Sequence, residues 1–149
     1  APRAASAGAP VGNARRARRS VKAALINAAV IGSGGFLGAL ARYGLSGLVH
    51  RQVPLTTFPY GTLLVNFLGC LLIGVVAGYA ESRQLFGLEV RMFVLIGVLG
   101  GFTTFSTFGY ETFAMLRDND LLRAAANVGA HVILGLALVW LGYAITTSR

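Results

Sequence analysis

Polar side chains interrupt the long apolar runs of this 149-residue chain at only a few places. Hydrocarbon makes such groups expensive, so they mark either a pathway or a tight contact between helices. The densest set is Gly97-Val98-Leu99-Gly100-Gly101-Phe102-Thr103-Thr104-Phe105-Ser106-Thr107-Phe108. Two glycines followed by a block of hydroxyl residues make a poor continuous helix, so the sequence predicts a break there. A break frees backbone carbonyls, which membrane depth tolerates only inside protein or against a cavity or ion. Beyond it, Ser106 and Thr107 offer hydroxyl donors, and Phe105 and Phe108, three apart, share one helix face. Aromatic rings have electropositive edges, so two ring edges beside these donors suit a small anion. Core phenylalanines at a packing kink would show the same spacing.

The other polar positions are sparser. Arg42 follows Gly34 and Gly38 at i+4 spacing, on one face. It is either a fixed positive charge at the mouth of an anion path or an arginine snorkelling to the interface. Asn66 offers two amide donors, enough for an ion or for one hydrogen bond between helices. Glu111, three residues beyond Phe108, reads as a vestibule group, an acceptor or an interfacial carboxylate. Asn127 and His131 stand one turn apart, and a lone histidine there reads as a packed, hydrogen-bonded residue.

These groups need long elements to carry them. Four apolar stretches, residues 23–49, 58–80, 90–116 and 122–146, are each long enough to cross about 30 Å of hydrocarbon. The connections, residues 50–57, 81–89 and 117–120, are short and polar, which forces neighbouring helices antiparallel. The expected fold is an all-α integral membrane protein of four transmembrane helices, the third broken near its middle. Gly34 with Gly38, Gly74 with Gly78 and Gly97 with Gly101 form small-residue pairs, read mainly as packing within the chain and otherwise as a dimer face. Trp140 and Tyr143 fit an interfacial aromatic belt.

Composition agrees. Charged residues are 12% and hydrophobic ones 55%, where a soluble domain carries about 25% charged residues. Residues 1–22 read as a basic, disordered tail containing Arg3, Arg15, Arg16, Arg18, Arg19 and Lys22. Beside a membrane span this suits anionic lipid rather than nucleic acid, since no base-reading pattern accompanies it. The tail also has the form of a targeting peptide. Cys70 is the single cysteine, which excludes an internal disulfide or a zinc cluster and fits a small core residue. No HExxH, GxSxG or phosphate-loop motif points to an enzyme.

The segments 34–43 (Gly34-Gly35-Phe36 to Ala41-Arg42-Tyr43), 61–69 (Gly61-Thr62-Leu63-Leu64-Val65-Asn66-Phe67-Leu68-Gly69) and 97–108 resemble the three signature stretches of the Fluc/CrcB fluoride channels. The likeness spans residues 25–146. It implies a plasma-membrane, multi-pass channel that passively exports toxic fluoride, built as an antiparallel dual-topology dimer with two pores. It further implies Phe105 and Phe108 as pore phenylalanines, and Asn66, Ser106 and Thr107 as pore-lining donors. Arg42 and Glu111 match positions near the pore ends. The backbone carbonyls of Gly100 and Thr103, from both subunits, would hold a structural Na+ at the dimer interface. Asn127 and His131 depart from the Tyr and Ser expected in many relatives, and the basic tail is longer than usual. Fluoride is small and strongly hydrated, so a selective pore must replace its water with compact donors and no trapping cation.

Two other classes of small membrane protein compete on the residues. A dual-topology multidrug exporter needs an intramembrane carboxylate, where the first span has only Arg42. A structural subunit would use its polar residues as packing glue. Orientation follows from charge. The side of the N-terminus carries Arg3, Arg15, Arg16, Arg18, Arg19, Lys22, Arg83, Arg91 and Arg149, and the other side Arg51, Arg117 and Arg123. The bias favours a cytoplasmic N-terminus. The expected partner is therefore a second copy in the opposite orientation, or an oppositely oriented paralogue.

Overall fold

The structure, a computed structural model, describes residues 10–53, 58–83 and 87–148. The chain forms α1 (Pro10–Gln52), α2 (Tyr60–Arg83), α3 (Leu88–Arg91), a π-helical stretch (Met92–Leu99), α4 (Gly100–Phe102), α5 (Phe105–Arg117), α6 (Leu121–Gly129), a second π-helical stretch (Ala130–Leu134) and α7 (Gly135–Thr147). Four continuous assemblies of these, Arg15–Gln52, Tyr60–Ser82, Leu88–Arg117 and Leu121–Thr147, are long and apolar enough to cross a membrane. The first, third and fourth contain the stretch expected from hydropathy, and the second is shifted two residues from it, starting at Tyr60 rather than Phe58.

One end differs. α1 begins at Pro10, so residues 10–22 are helical where the sequence suggested an irregular tail. The run is rich in alanine and arginine, both strong helix formers, and proline suits a first helical position. Residues 1–9 of the expected tail lie outside the described residues, as do 54–57 and 84–86 of the first two connections. The third connection is described in full. Asn119 adopts the left-handed conformation at φ 59°, and the Asp120 side chain accepts from the Arg123 backbone N–H to start α6.

The first span packs along the third and the second along the fourth, with α1 also touching α2. Lipid supplies no hydrophobic drive between helices, so close approach of backbones does the work. A methyl group at Gly34 would stand 2.6 Å from the Phe93 carbonyl oxygen, and one at Gly97 2.8 Å from that of Ile31. Gly38 meets Val98 in the same way, while Gly74 meets Val139 and Gly78 meets Thr146. The glycine pairs therefore serve contacts inside the chain, as the simpler of their two readings had it.

Candidate functional site

The third span breaks at Thr103 and Thr104, whose backbones are extended (φ/ψ −81°/159° and −148°/113°) between α4 and α5. Asn66 on α2 holds the break open. Its Oδ1 accepts from the Thr104 N–H at 2.9 Å, and its Nδ2 donates to the Thr104 carbonyl at 3.1 Å. In an unbroken helix that N–H would reach the Gly100 carbonyl. Three residues on, the Thr107 N–H bonds the Thr104 hydroxyl at 3.2 Å, whereas an unbroken helix would give it to the Thr103 carbonyl. The carbonyls of Gly100 and Thr103 thus lose their helical donors. Gly69 makes room for this arrangement on α2, since a methyl group there would overlap the Thr103 side chain.

Two cavities meet at Thr104. One, of 360 Å³, is lined by Asn66, Gly100, Thr103, Phe105, Phe108 and His131 among others. The other, of 260 Å³, contains Arg42, Thr62 and Thr107. Thr104 lines both. Its hydroxyl donates to Thr107 Oγ1 at 2.9 Å and lies 3.3 Å from Ser106 Oγ. Arg42 Nε is buried with no hydrogen-bond partner among the described residues, so the guanidinium has capacity for an anion beside the hydroxyls. Glu111 stands apart in a third cavity with His50, and its Oε1 accepts from Thr62 Oγ at 2.7 Å.

Phe105 and Phe108 pack tilted at 56°, ring centres 5.5 Å apart. Phe108 is half-buried, while Phe105 is 83% exposed and Ser106 is exposed beside it. Of the residues named from sequence, Asn66, Gly100, Thr103, Phe105 and Phe108 therefore share one cavity, and Arg42 and Thr107 share the adjoining one. Thr62, Thr104, Thr112 and His131 also take part in the site. Thr62 was signalled by its place one turn before Asn66, Thr112 by its place one turn after Phe108, and Thr104 by preceding the restart of the helix.

An aromatic pair, hydroxyls, an amide and an arginine thus gather around a break in a helix of membrane-spanning length, the arrangement of a polytopic membrane protein. The family profile described as "CrcB-like protein, Camphor Resistance (CrcB)" matches residues 29–143, and the chain belongs to that family. It is 50% identical over 115 residues to a protein of Geobacter metallireducens, covering 77% of this chain and 90% of the relative. It is 49% identical over 115 residues to one of Opitutus terrae, covering 76% and 86%. A protein of Nitratidesulfovibrio vulgaris (strain Miyazaki F) is 47% identical over 113 residues, covering 76% and 90%. All three carry the name fluoride-specific ion channel FluC.

Proposed function

We propose that this chain is a subunit of a plasma-membrane channel that lets fluoride leave the cell down its gradient. The break at Thr103–Thr104, with Thr104 lining a cavity on each side, carries the reading, and the names of the relatives support it. Arg42 would draw the anion to the smaller cavity, where the Thr107 hydroxyl, its proton still free, replaces part of its water. The edges of Phe105 and Phe108 and the hydroxyl of Ser106 would take it further. Asn66 contributes through its remaining amide N–H and by holding the break. Fluoride needs compact donors, and neutral ones let it leave again.

The same reading makes the subunit half of a pore. An exposed serine hydroxyl and ring face at the middle of a span are costly against lipid, and a second copy in the opposite orientation would cover them. The released carbonyls of Gly100 and Thr103 suit a hard cation such as Na+. Among the described residues no cluster of His, Cys, Asp or Glu offers an alternative ligand set. Bound there, the cation would supply charge that satisfies carbonyls otherwise stranded in the membrane.

Efflux from liposomes containing the purified protein, followed with a fluoride electrode and in parallel with a chloride electrode, tests the function. Fluoride efflux well above protein-free liposomes with chloride retained is the expected result. Equal chloride flux, or no fluoride flux, refutes the proposal.

A further inference from the structure

The fourth span carries two polar side chains that the path described above does not use, and the structure joins them to Phe108 in a closed ring of contacts. Thr112, one turn beyond Phe108, donates its hydroxyl to the Phe108 carbonyl at 2.8 Å. Asn127 Nδ2 donates to the same Thr112 oxygen at 2.9 Å. The backbone carbonyl of Asn127 accepts from His131 Nδ1 at 2.9 Å. The His131 ring then returns to the Phe108 ring, centre to centre 4.3 Å and tilted 40°. The loop closes on the residue where it began. Phe67 of α2 backs the imidazole at 6.0 Å, and Asn127 is fully buried.

Each link removes a freedom. The hydrogen bond to Asn127 fixes the imidazole plane, because a carbonyl only accepts and so Nδ1 must carry the proton. That plane borders Phe108 at 4.3 Å, and Phe105 borders it at 5.5 Å. The ring of Phe108 is thereby held between packed neighbours. His131 Nε2 is buried without a partner among the described residues. The ring contact of the imidazole with Phe108 is what lets the histidine act through that phenylalanine. Its place in the π-helical stretch Ala130–Leu134 fits the frequent use of such widened turns at functional sites.

We propose that His131, anchored through Asn127 and Thr112, is a positioning residue that sets the Phe108 ring edge for anion conduction. The inference rests on the channel reading for its consequence but not for its geometry, so two readouts are paired. One is fluoride efflux from liposomes, with sizing of the assembled protein as a folding check. The other is the NMR of isotope-labelled Phe108 in detergent, where a clamped ring flips slowly and a loosened one averages its edge signals.

His131→Ala is expected to average those signals and to slow fluoride efflux about 10- to 100-fold, the usual cost of a misplaced reacting or binding group. His131→Phe keeps a ring against Phe108 and is expected to recover most of the rate. Thr112→Val keeps the shape, removes the hydroxyl link, and is expected to loosen the ring and slow efflux in the same sense. If His131→Ala does not assemble, the other two variants give the decision. An assembled His131→Ala or Thr112→Val channel with wild-type signals overturns the proposal, and so does slow efflux with an unchanged Phe108 ring. Wild-type protein that conducts no fluoride overturns the channel reading, while the ring signals still decide the clamp.

Discussion

Asn66→Leu is the sharpest perturbation of the site, because one side chain serves both polar groups of a single peptide residue at mid-membrane. Asn66 is 9% exposed, and its bonds to the Thr104 N–H and carbonyl are 2.9 Å and 3.1 Å long. Leucine keeps the bulk and leaves both backbone groups without these partners. A buried group stripped of its partner costs about 1–3 kcal/mol, whereas hydrogen bonds between membrane helices average about 0.6 kcal/mol and reach about 1.7. Taking a middle value for each of two groups gives a loss of roughly 2–3 kcal/mol. That corresponds to roughly a 30- to 140-fold shift toward the unfolded subunit. Asn66→Asp separates the two bonds, since it keeps an acceptor for the Thr104 N–H and sets an oxygen against the Thr104 carbonyl. The assay is denaturant unfolding in detergent, read by intrinsic fluorescence, alongside liposome efflux. Both variants are expected to be destabilised and to lose fluoride flux. Wild-type stability and flux in Asn66→Leu would show that the break persists without its staple and would refute the reasoning.

Phe108→Ile and Phe105→Ile are each expected to slow fluoride efflux strongly, because the aliphatic chain keeps bulk and removes the polarised ring edge. The isolated subunit should lose stability mainly at the half-buried Phe108, since Phe105 is 83% exposed. Wild-type flux in both would make the rings packing alone. Gly38→Val is expected to force the first span away from the third, where the glycine faces the Val98 carbonyl and the Phe102 backbone. Overpacking of this kind costs typically 1–3 kcal/mol, to be seen as loss of folded protein on sizing, and an unaltered elution profile would contradict the packing described.

Much of this was legible before any coordinates. Span lengths follow from hydropathy, because lipid leaves a chain few choices. The break followed from Gly100, Gly101 and the hydroxyl block after them, whose local preferences argue against a continuous helix. What sequence left open was which helices meet. Asn66 read equally as a pore donor or as packing glue, and the structure shows its amide occupied by the Thr104 backbone. Thr62 and Thr112 stand one turn from Asn66 and Phe108, which marks their positions but not their partners. Their roles depend on Glu111 and Asn127, which lie 49 and 15 residues away. His131 showed a similar ambiguity. Its bond to Asn127 lies within one turn and is readable, but its ring contact with Phe108 needs two spans side by side. The helical start at Pro10 went unread because arginine-rich, apolar-poor sequence gives no periodic signal.

The rigidity of α1 changes how the basic residues ahead of the first span should be weighed. A helix rises about 1.5 Å per residue, so Arg15 stands roughly 10 Å farther along the axis than Lys22. Counter-ions halve and halve again a charge's reach over such distances, the screening length being about 8 Å at physiological salt. In a floppy leader every arginine would visit the headgroups. On a straight rod each keeps its own altitude, and only Lys22 and its nearest neighbours press on the bilayer with full force. An unweighted tally of arginines and lysines therefore exaggerates the pull that fixes which end faces the cytoplasm.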